Sequence, residues 1–370
     1  MRKDAQGEML DLHSCFYKYR NAPRGDAGRR LAVAVPSRHK DGSGAAAPAG
    51  EQYEPSASRH GDGSAGVSAA SAQPRHWAII VLLGIVWAAT FPAIALALEG
   101  YRPLTVAAGR CVLAAAALMP VMLMLRLRAP GWRGPVGRRV WLHLLGMAVF
   151  STALPYGLVA WGQQHVASGF AGVSMATVPL FVLPLAHFLV PGERMTPGKA
   201  AGFALGFAGV MVLLGPGVLR SAGAELEGLG RLACIAGAAS FAVGGIVTRL
   251  CPPADVVVLS AMSLLLAAIG MVPVALVFEG APGAVALSPT LWLVYLGVVP
   301  TALAILLRVK VTREVGPSFM VLTNYQVPVW AVIMGAVFLG EPVPGQLVAG
   351  LTLILGGLTL SARPDRLLRR

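Results

Sequence analysis

Charge is scarce in this chain: 13% of its 370 residues are Asp, Glu, Lys or Arg, against 56% that are hydrophobic. A soluble domain carries about 25% charged residues, so an ordinary soluble fold is excluded. Carboxylates are missing where a proton relay would need them, since Glu99, Glu193, Asp255, Glu279 and Glu341 all fall at or beyond the ends of the long apolar stretches. Proton coupling, if any, would fall to His143 or to the substrate itself. Cysteines are few and scattered (Cys15, Cys111, Cys234, Cys251), without metal-ligand spacing, so neither a disulfide framework nor a metal centre is indicated and no cofactor is expected. There is no His-Glu-x-x-His, no buried Asp pair and no Ser–His arrangement, which leaves an intramembrane enzyme without its chemistry. The net charge of +13 would suit nucleic acid, but the Lys and Arg residues lie between apolar segments and form no stripe on a polar fold. They read as topology signals, and no nucleic-acid partner is expected.

What is present is apolar length. From Trp77 onward there are ten segments, most of about 17–24 residues, enough to cross roughly 30 Å of hydrocarbon at 1.5 Å per residue. They cover 77–98, 103–125, 140–162, 167–190, 198–214, 230–248, 256–278, 290–307, 316–339 and 345–361. An all-α integral membrane protein of ten transmembrane helices is predicted, embedded in the lipid bilayer. Residues 1–76, rich in Gly, Ala, Ser, Pro and Arg, read as a disordered cytoplasmic tail, or as the product of a start codon assigned too far upstream. Residues 363–370 form a basic C-terminus.

A phrase occurs twice. Gly192-Glu193 is followed by Gly202 and Gly209, and Gly340-Glu341 by Gly350 and Gly357 at the same intervals, 148 positions later. Thr152-Ala153-Leu154 recurs as Thr301-Ala302-Leu303, and Pro179 as Pro328, each 149 positions on. Two five-helix repeats follow, 77–215 and 226–362. Charge sets their orientation. With the N-terminus inside, 15 Lys or Arg residues fall in the inner connections and C-terminus, whereas Arg102, Arg220 and Arg231 are outside. Both termini are therefore expected to be cytoplasmic. Five is odd, so the second repeat enters the membrane in the opposite sense, with Glu193 and Glu341 facing opposite sides. Inverted repeats of this kind suit rocking-type alternating access with the site where the repeats meet.

The doubled Pro to Gly-Glu phrase, the Gly-rich final helix of each copy and Arg110 within Leu104-Thr-Val-Ala-Ala-Gly-Arg110-Cys resemble the drug/metabolite transporter superfamily, specifically the bacterial EamA-type permeases. The resemblance covers Trp77 to about Leu360. It implies a small organic metabolite, such as an amino acid or related compound, moved outward across the bacterial inner membrane. The second copy has Ser260 near the position of Arg110, so that residue is not duplicated. A monomer or a homodimer is compatible with two repeats in one chain. A channel-like or multidrug efflux component is the alternative.

Polar residues within the spans are the candidate site. Arg110 lies well inside a span, either beside a substrate cavity, or snorkelling outward or tying helices through backbone carbonyls. Asn324, Tyr325 and Gln326 precede Pro328, which removes a helical donor and frees the Asn324 carbonyl, so these residues either contact substrate or tie helices together. Trp87 and Thr90 share a face of the first helix, and Tyr156, with Trp161 and Gln163, extends along the third. Trp161 also suits an interfacial belt. Pro179 and Pro328 are the expected paired kinks. Glu193 and Glu341 are expected to cap the next helix or to close a gate by pairing with Arg or Lys.

Overall fold

The computed structural model describes residues 73–190, 195–214, 226–315 and 317–362. Glu193, the N-terminal tail as far as residue 72 and the basic C-terminus lie outside the described residues. So does the side chain of Asn324, although its backbone is helical.

Among the described residues all regular structure is helical. In chain order the helices are α1 (Pro74–Leu98), α2 (Pro103–Met124), α3 (Gly134–Gly162), α4 (Ser168–Leu189), α5 (Pro197–Leu214), α6 (Leu226–Leu250) and α7 (Val256–Glu279). Next comes α8, running through Leu287–Gly297, Val298–Leu303 and Ala304–Val315, then α9 (Pro317–Leu339) and α10 (Gly345–Ala362). Eight helices, α1 to α7 and the Leu287–Arg308 part of α8, are long and apolar enough to cross a membrane. The apolar parts of α9 and α10, Tyr325–Leu339 and Gly345–Ser361, are shorter.

Local sequence explains several boundaries. Pro74 and Pro103 stand in the first turns of α1 and α2, where the missing N–H has no partner to lose. Asp255 caps α7 by accepting from the Val257 amide at 2.8 Å. Gly340 ends α9 with φ +64°, a conformation that disfavours a side chain, and the Glu341 amide folds back onto the Gly335 carbonyl at 3.1 Å. That turn is the physical meaning of the Gly in the second Gly-Glu phrase.

The interior holds small residues and the outside large apolar ones. Ala88, Ala97, Ala107, Ala114, Ala238 and Ala261 are buried, while Phe188, Val277, Phe278, Val337 and Phe338 are 70–80% exposed. A lipid-embedded bundle has this distribution, because lipid gives apolar side chains no reason to hide and small ones let helices approach. The closest approach joins α5 to α10. A Cβ on Gly202 would sit 2.5 Å from the Gly357 carbonyl, and one on Gly209 2.9 Å from the Gly350 carbonyl. The glycines that follow each Gly-Glu phrase therefore face each other across the two repeats. Gly357→Val is expected to lower stability by about 1–3 kcal/mol through overpacking, measured as a fall in the thermal unfolding midpoint of the detergent-solubilised protein.

Contacts between helices of the two halves follow a twofold rule. Helix α1 packs on α8 and α9, and α6, five helices later, packs on α3 and α4. The pairs α2–α7, α4–α9 and α5–α10 map onto themselves under the same exchange.

Candidate functional site

Two helices leave α geometry at matched places. Residues Ala148–Ala153 of α3 and Val298–Leu303 of α8 form π-helical turns, which widen the helix and mark a ladder out of register. In each, the carbonyl of the third residue accepts a hydrogen bond from the opposite half. The Ser240 hydroxyl of α6 donates to the Phe150 carbonyl at 2.9 Å, and the Trp87 indole of α1 donates to the Pro300 carbonyl at 3.1 Å.

Proline is the local cause. Pro155 cannot donate to the Phe150 carbonyl five residues back, the π-register partner, so that acceptor is free for Ser240. Pro300 cannot donate to the Leu296 carbonyl, and the Thr301 hydroxyl does so instead at 2.8 Å. With its hydrogen spent there, the Thr301 oxygen is an acceptor, and Arg110 Nε donates to it at 2.9 Å. A proline in α8 thus fixes where the cation of α2 is held.

Arg110 is 8% exposed and does not snorkel. Its guanidinium carbon lies 4.0 Å over the Tyr156 ring of α3, an attraction worth about 2 kcal/mol when desolvated. Tyr156 is braced by the edge of Phe241 from α6 at 6.1 Å. Among the described residues no carboxylate pairs with Arg110, and no acceptor is bonded to its two terminal nitrogens. Arg110 is thus a buried cation held by one neutral hydrogen bond and one aromatic face, an arrangement that leaves its charge without an opposite partner among the described residues. Thr301→Val keeps the volume but strips both hydrogen bonds. Its expected cost is about 1–3 kcal/mol, read as a lower unfolding midpoint.

Of the other expected residues, Trp87 adjoins this centre through the α8 turn. Trp87 meets the π-turn one residue from Thr301. One turn earlier on α1, Gly84 leaves room for Gln326 of α9, whose Oε1 would lie 3.1 Å from a Cβ there. Thr90 is buried one turn after Trp87, beside the break at Ala89 that divides α1. Tyr325 is half-buried against the main apolar core. Pro179 stands in the first turn of Val178–Leu189, just after the tight turn Met175–Thr177, whereas Pro328 sits within a continuous helix. Trp161 stacks edge-on against His165 at 4.9 Å, and His143 Nδ1 lies 2.7 Å from the Arg139 carbonyl.

Glu341 differs from the reading of it as a cap on the following helix. Its carboxylate crosses to the start of α4, where it accepts from the Ser168 amide (2.6 Å), the Ser168 hydroxyl (2.9 Å) and the Gly169 amide (2.9 Å). Gly335 has no side chain because Glu341 Oε2 occupies the place its Cβ would take. Glu279, at the end of α7, does the same for α2, accepting from the Leu104 and Thr105 amides and the Thr105 hydroxyl. Each carboxylate neutralises exposed amides at a helix start, where the macrodipole favours negative charge. Beside Glu341 a cavity of about 180 Å³ is lined by Phe170, Glu227, Arg231, Val332 and Gln346.

Sequence reasoning missed Pro300, Thr301 and Glu279. Thr301 was visible as the repeat partner of Thr152, and the preceding proline was the signal that its hydroxyl would turn inward. Gln163 was seen only as an extension of the Tyr156 face, yet its side chain is buried and donates to the Phe91 carbonyl at 2.9 Å.

The pattern of the EamA-like transporter family matches the chain twice, at residues 76–215 and 228–363. The chain belongs to the EamA-like transporter family. As an EamA-family chain with eight candidate spans it is a multi-pass membrane protein. It is 23% identical over 285 residues to the uncharacterized transporter YoaV of Bacillus subtilis, covering 76% of this chain and 94% of that protein. It is 27% identical over 288 residues to a protein of Streptantibioticus cattleyicolor named a probable terminal-alkyne amino-acid exporter, covering 78% and 93%. The uncharacterized inner membrane transporter YedA of Escherichia coli K12 is 27% identical over 294 residues, covering 76% and 91%. A crystal structure titled only as that of a protein superposes with a TM-score of 0.53 at 24% identity, covering 79% of this EamA-family chain and 99% of its own.

Proposed function

We propose that this chain is a secondary transporter of the bacterial inner membrane that moves a small organic metabolite bearing a carboxylate, an amino acid or a related compound, outward. The observation that carries the reading is Arg110, a buried cation in a membrane helix bundle with no carboxylate partner among the described residues. A substrate carboxylate supplies the missing charge. Trp87, Thr90, Tyr156, Tyr325 and Gln326 line its path, and Asn324, beside them in sequence, belongs to the same group.

The chain crosses the membrane ten times as two inverted repeats, with residues 77–215 and 226–362 as the halves and both termini cytoplasmic. One half rocks against the other. The matched π-turns support this, because each is tied to the first helix of the opposite half by one hydrogen bond that rocking can exchange. Pro179 and Pro328 are the flexible points, and Glu341, with Glu193 as its counterpart, latches one end of the pathway. The S. cattleyicolor relative, named a probable terminal-alkyne amino-acid exporter, supports an amino-acid-like cargo and the outward direction.

The test is metabolite profiling of medium and cell extract from cells expressing the chain, an empty vector, or Arg110→Ala shown to reach the membrane. Enrichment of a carboxylate-bearing compound outside, lost in the variant, is the expected result. Enrichment of a compound without a carboxylate would overturn the substrate class, and no difference from vector the outward direction.

A further inference from the structure

A second cavity, of about 430 Å³, lies between the α2–α3 and α6–α7 connections. Among its lining residues are Arg128, Arg133, Val136 and Asp255. We propose that it binds the phosphate of an anionic phospholipid headgroup. The inference stands apart from the transport reading, since it uses neither Arg110 nor the symmetry of the halves.

Charge comes first. Two arginines face one carboxylate, and that carboxylate already accepts from the Val257 amide. Arg126, Arg138 and Arg139 are exposed on the same connection and its following turn. Guanidinium is suited to phosphate, because its planar fork donates two parallel hydrogen bonds to two oxygens. The loop that carries the arginines is fixed in shape. Arg126 takes φ +53°, the Leu127 amide reaches back to the Met122 carbonyl at 3.0 Å, and the Trp141 indole holds the Pro130 carbonyl at 3.1 Å.

The apolar side chains near the loop point to lipid. Leu123, Met124, Trp132, Val136 and Leu142 are 64–68% exposed around the basic loop, and Trp132 packs against Trp141 at 5.5 Å. Tryptophan pairs of this kind sit at headgroup depth, where one side is apolar and the other wet. Arginines on a connection that also carries large exposed apolar side chains match a phosphate held beside acyl chains. A free anion would use the arginines and leave the exposed apolar side chains of the same region unexplained.

Native mass spectrometry and thermal unfolding of the full chain, with dioleoyl-phosphatidylglycerol or dioleoyl-phosphatidylcholine, test the proposal. Wild type is expected to bind phosphatidylglycerol at least about tenfold more tightly than Arg128→Gln/Arg133→Gln, the loss of about 1.4 kcal/mol expected for one or two charge-assisted contacts. Arg138→Gln/Arg139→Gln, whose arginines do not line the cavity, is expected to bind like wild type. Arg128→Gln alone, at an exposed position, gives a partial loss and serves if the double variant does not fold. Equal weakening in both double variants would reduce the effect to diffuse charge and overturn the site. So would unchanged binding in the cavity variant. Displacement of the lipid by inorganic phosphate at equal concentration would overturn the lipid assignment in favour of a free anion.

Discussion

Arg110→Ala is expected to lower counterflow of the exported compound in proteoliposomes by about 10- to 150-fold, the equivalent of the 1.5–3 kcal/mol carried by hydrogen bonds to a charged group. The geometry gives the sign. Arg110 spends one donor on Thr301 and its face on Tyr156, leaving its terminal nitrogens for a ligand. Removing it eliminates the only attraction for a carboxylate that the centre displays among its described residues, while its other partners are neutral and survive in water or against each other. Arg110→Lys is expected to fall between, because an ammonium keeps the charge but cannot place a planar fork against both Thr301 and a carboxylate. Thermal unfolding separates this from a folding defect. If Arg110→Ala transports like wild type the carboxylate requirement is wrong, and a lower unfolding midpoint with transport retained would make Arg110 a structural tie instead.

Glu341→Ala is expected to destabilise the protein by about 2–3 kcal/mol, since three hydrogen bonds to a carboxylate are lost and two helix-start amides are left without a partner. For a chain of 370 residues, with an unfolding entropy of about 2.1 cal/mol/K per residue, that corresponds to a fall of about 3–4 °C in unfolding midpoint. The capped amides belong to the first half of the chain and the carboxylate to the second, so the variant is also expected to loosen the contact of α4 with α9. Hydrogen exchange at the Ser168 and Gly169 amides reads this directly. Glu341→Gln, which keeps an acceptor but not the charge, is expected to lose about half as much. Protection unchanged in Glu341→Ala would show that the cap contributes nothing to holding the halves together.

Much of the fold could be read from the chain because membrane helices announce themselves by length. Seven of the eight helices long and apolar enough to cross a membrane lie within a few residues of their expected ends, since a 20-residue apolar run has few alternatives in lipid. The third began earlier than expected, at Gly134, because its first turns carry Arg138 and Arg139 and so fail an apolar criterion while still forming helix. Arg110, Tyr156, Trp87 and Gln326 were legible as polar residues in apolar surroundings. The approach of Arg110 to Tyr156, and of Trp87 and Arg110 to neighbouring residues of α8, was not. It depends on two π-turns, and a π-turn follows from a backbone ladder slipping by one residue at a proline, which no spacing of side chains records. The reach of Glu341 was hidden for a related reason. Sequence places a carboxylate near the helix that follows it, but the φ of +64° at Gly340 swings it back across α9 towards α4.

The central claim is that the two halves cross the membrane in opposite senses. It is tested by single-cysteine accessibility in intact cells, in a background lacking the native cysteines, with one cysteine at Met195 and another at Pro342, read with a membrane-impermeant maleimide before and after permeabilisation. The account predicts labelling at position 342 in intact cells and at position 195 only after permeabilisation. Labelling of both under the same condition would put the two Gly-Glu phrases on one side of the membrane and contradict the inverted arrangement, and with it the exchange of access between halves.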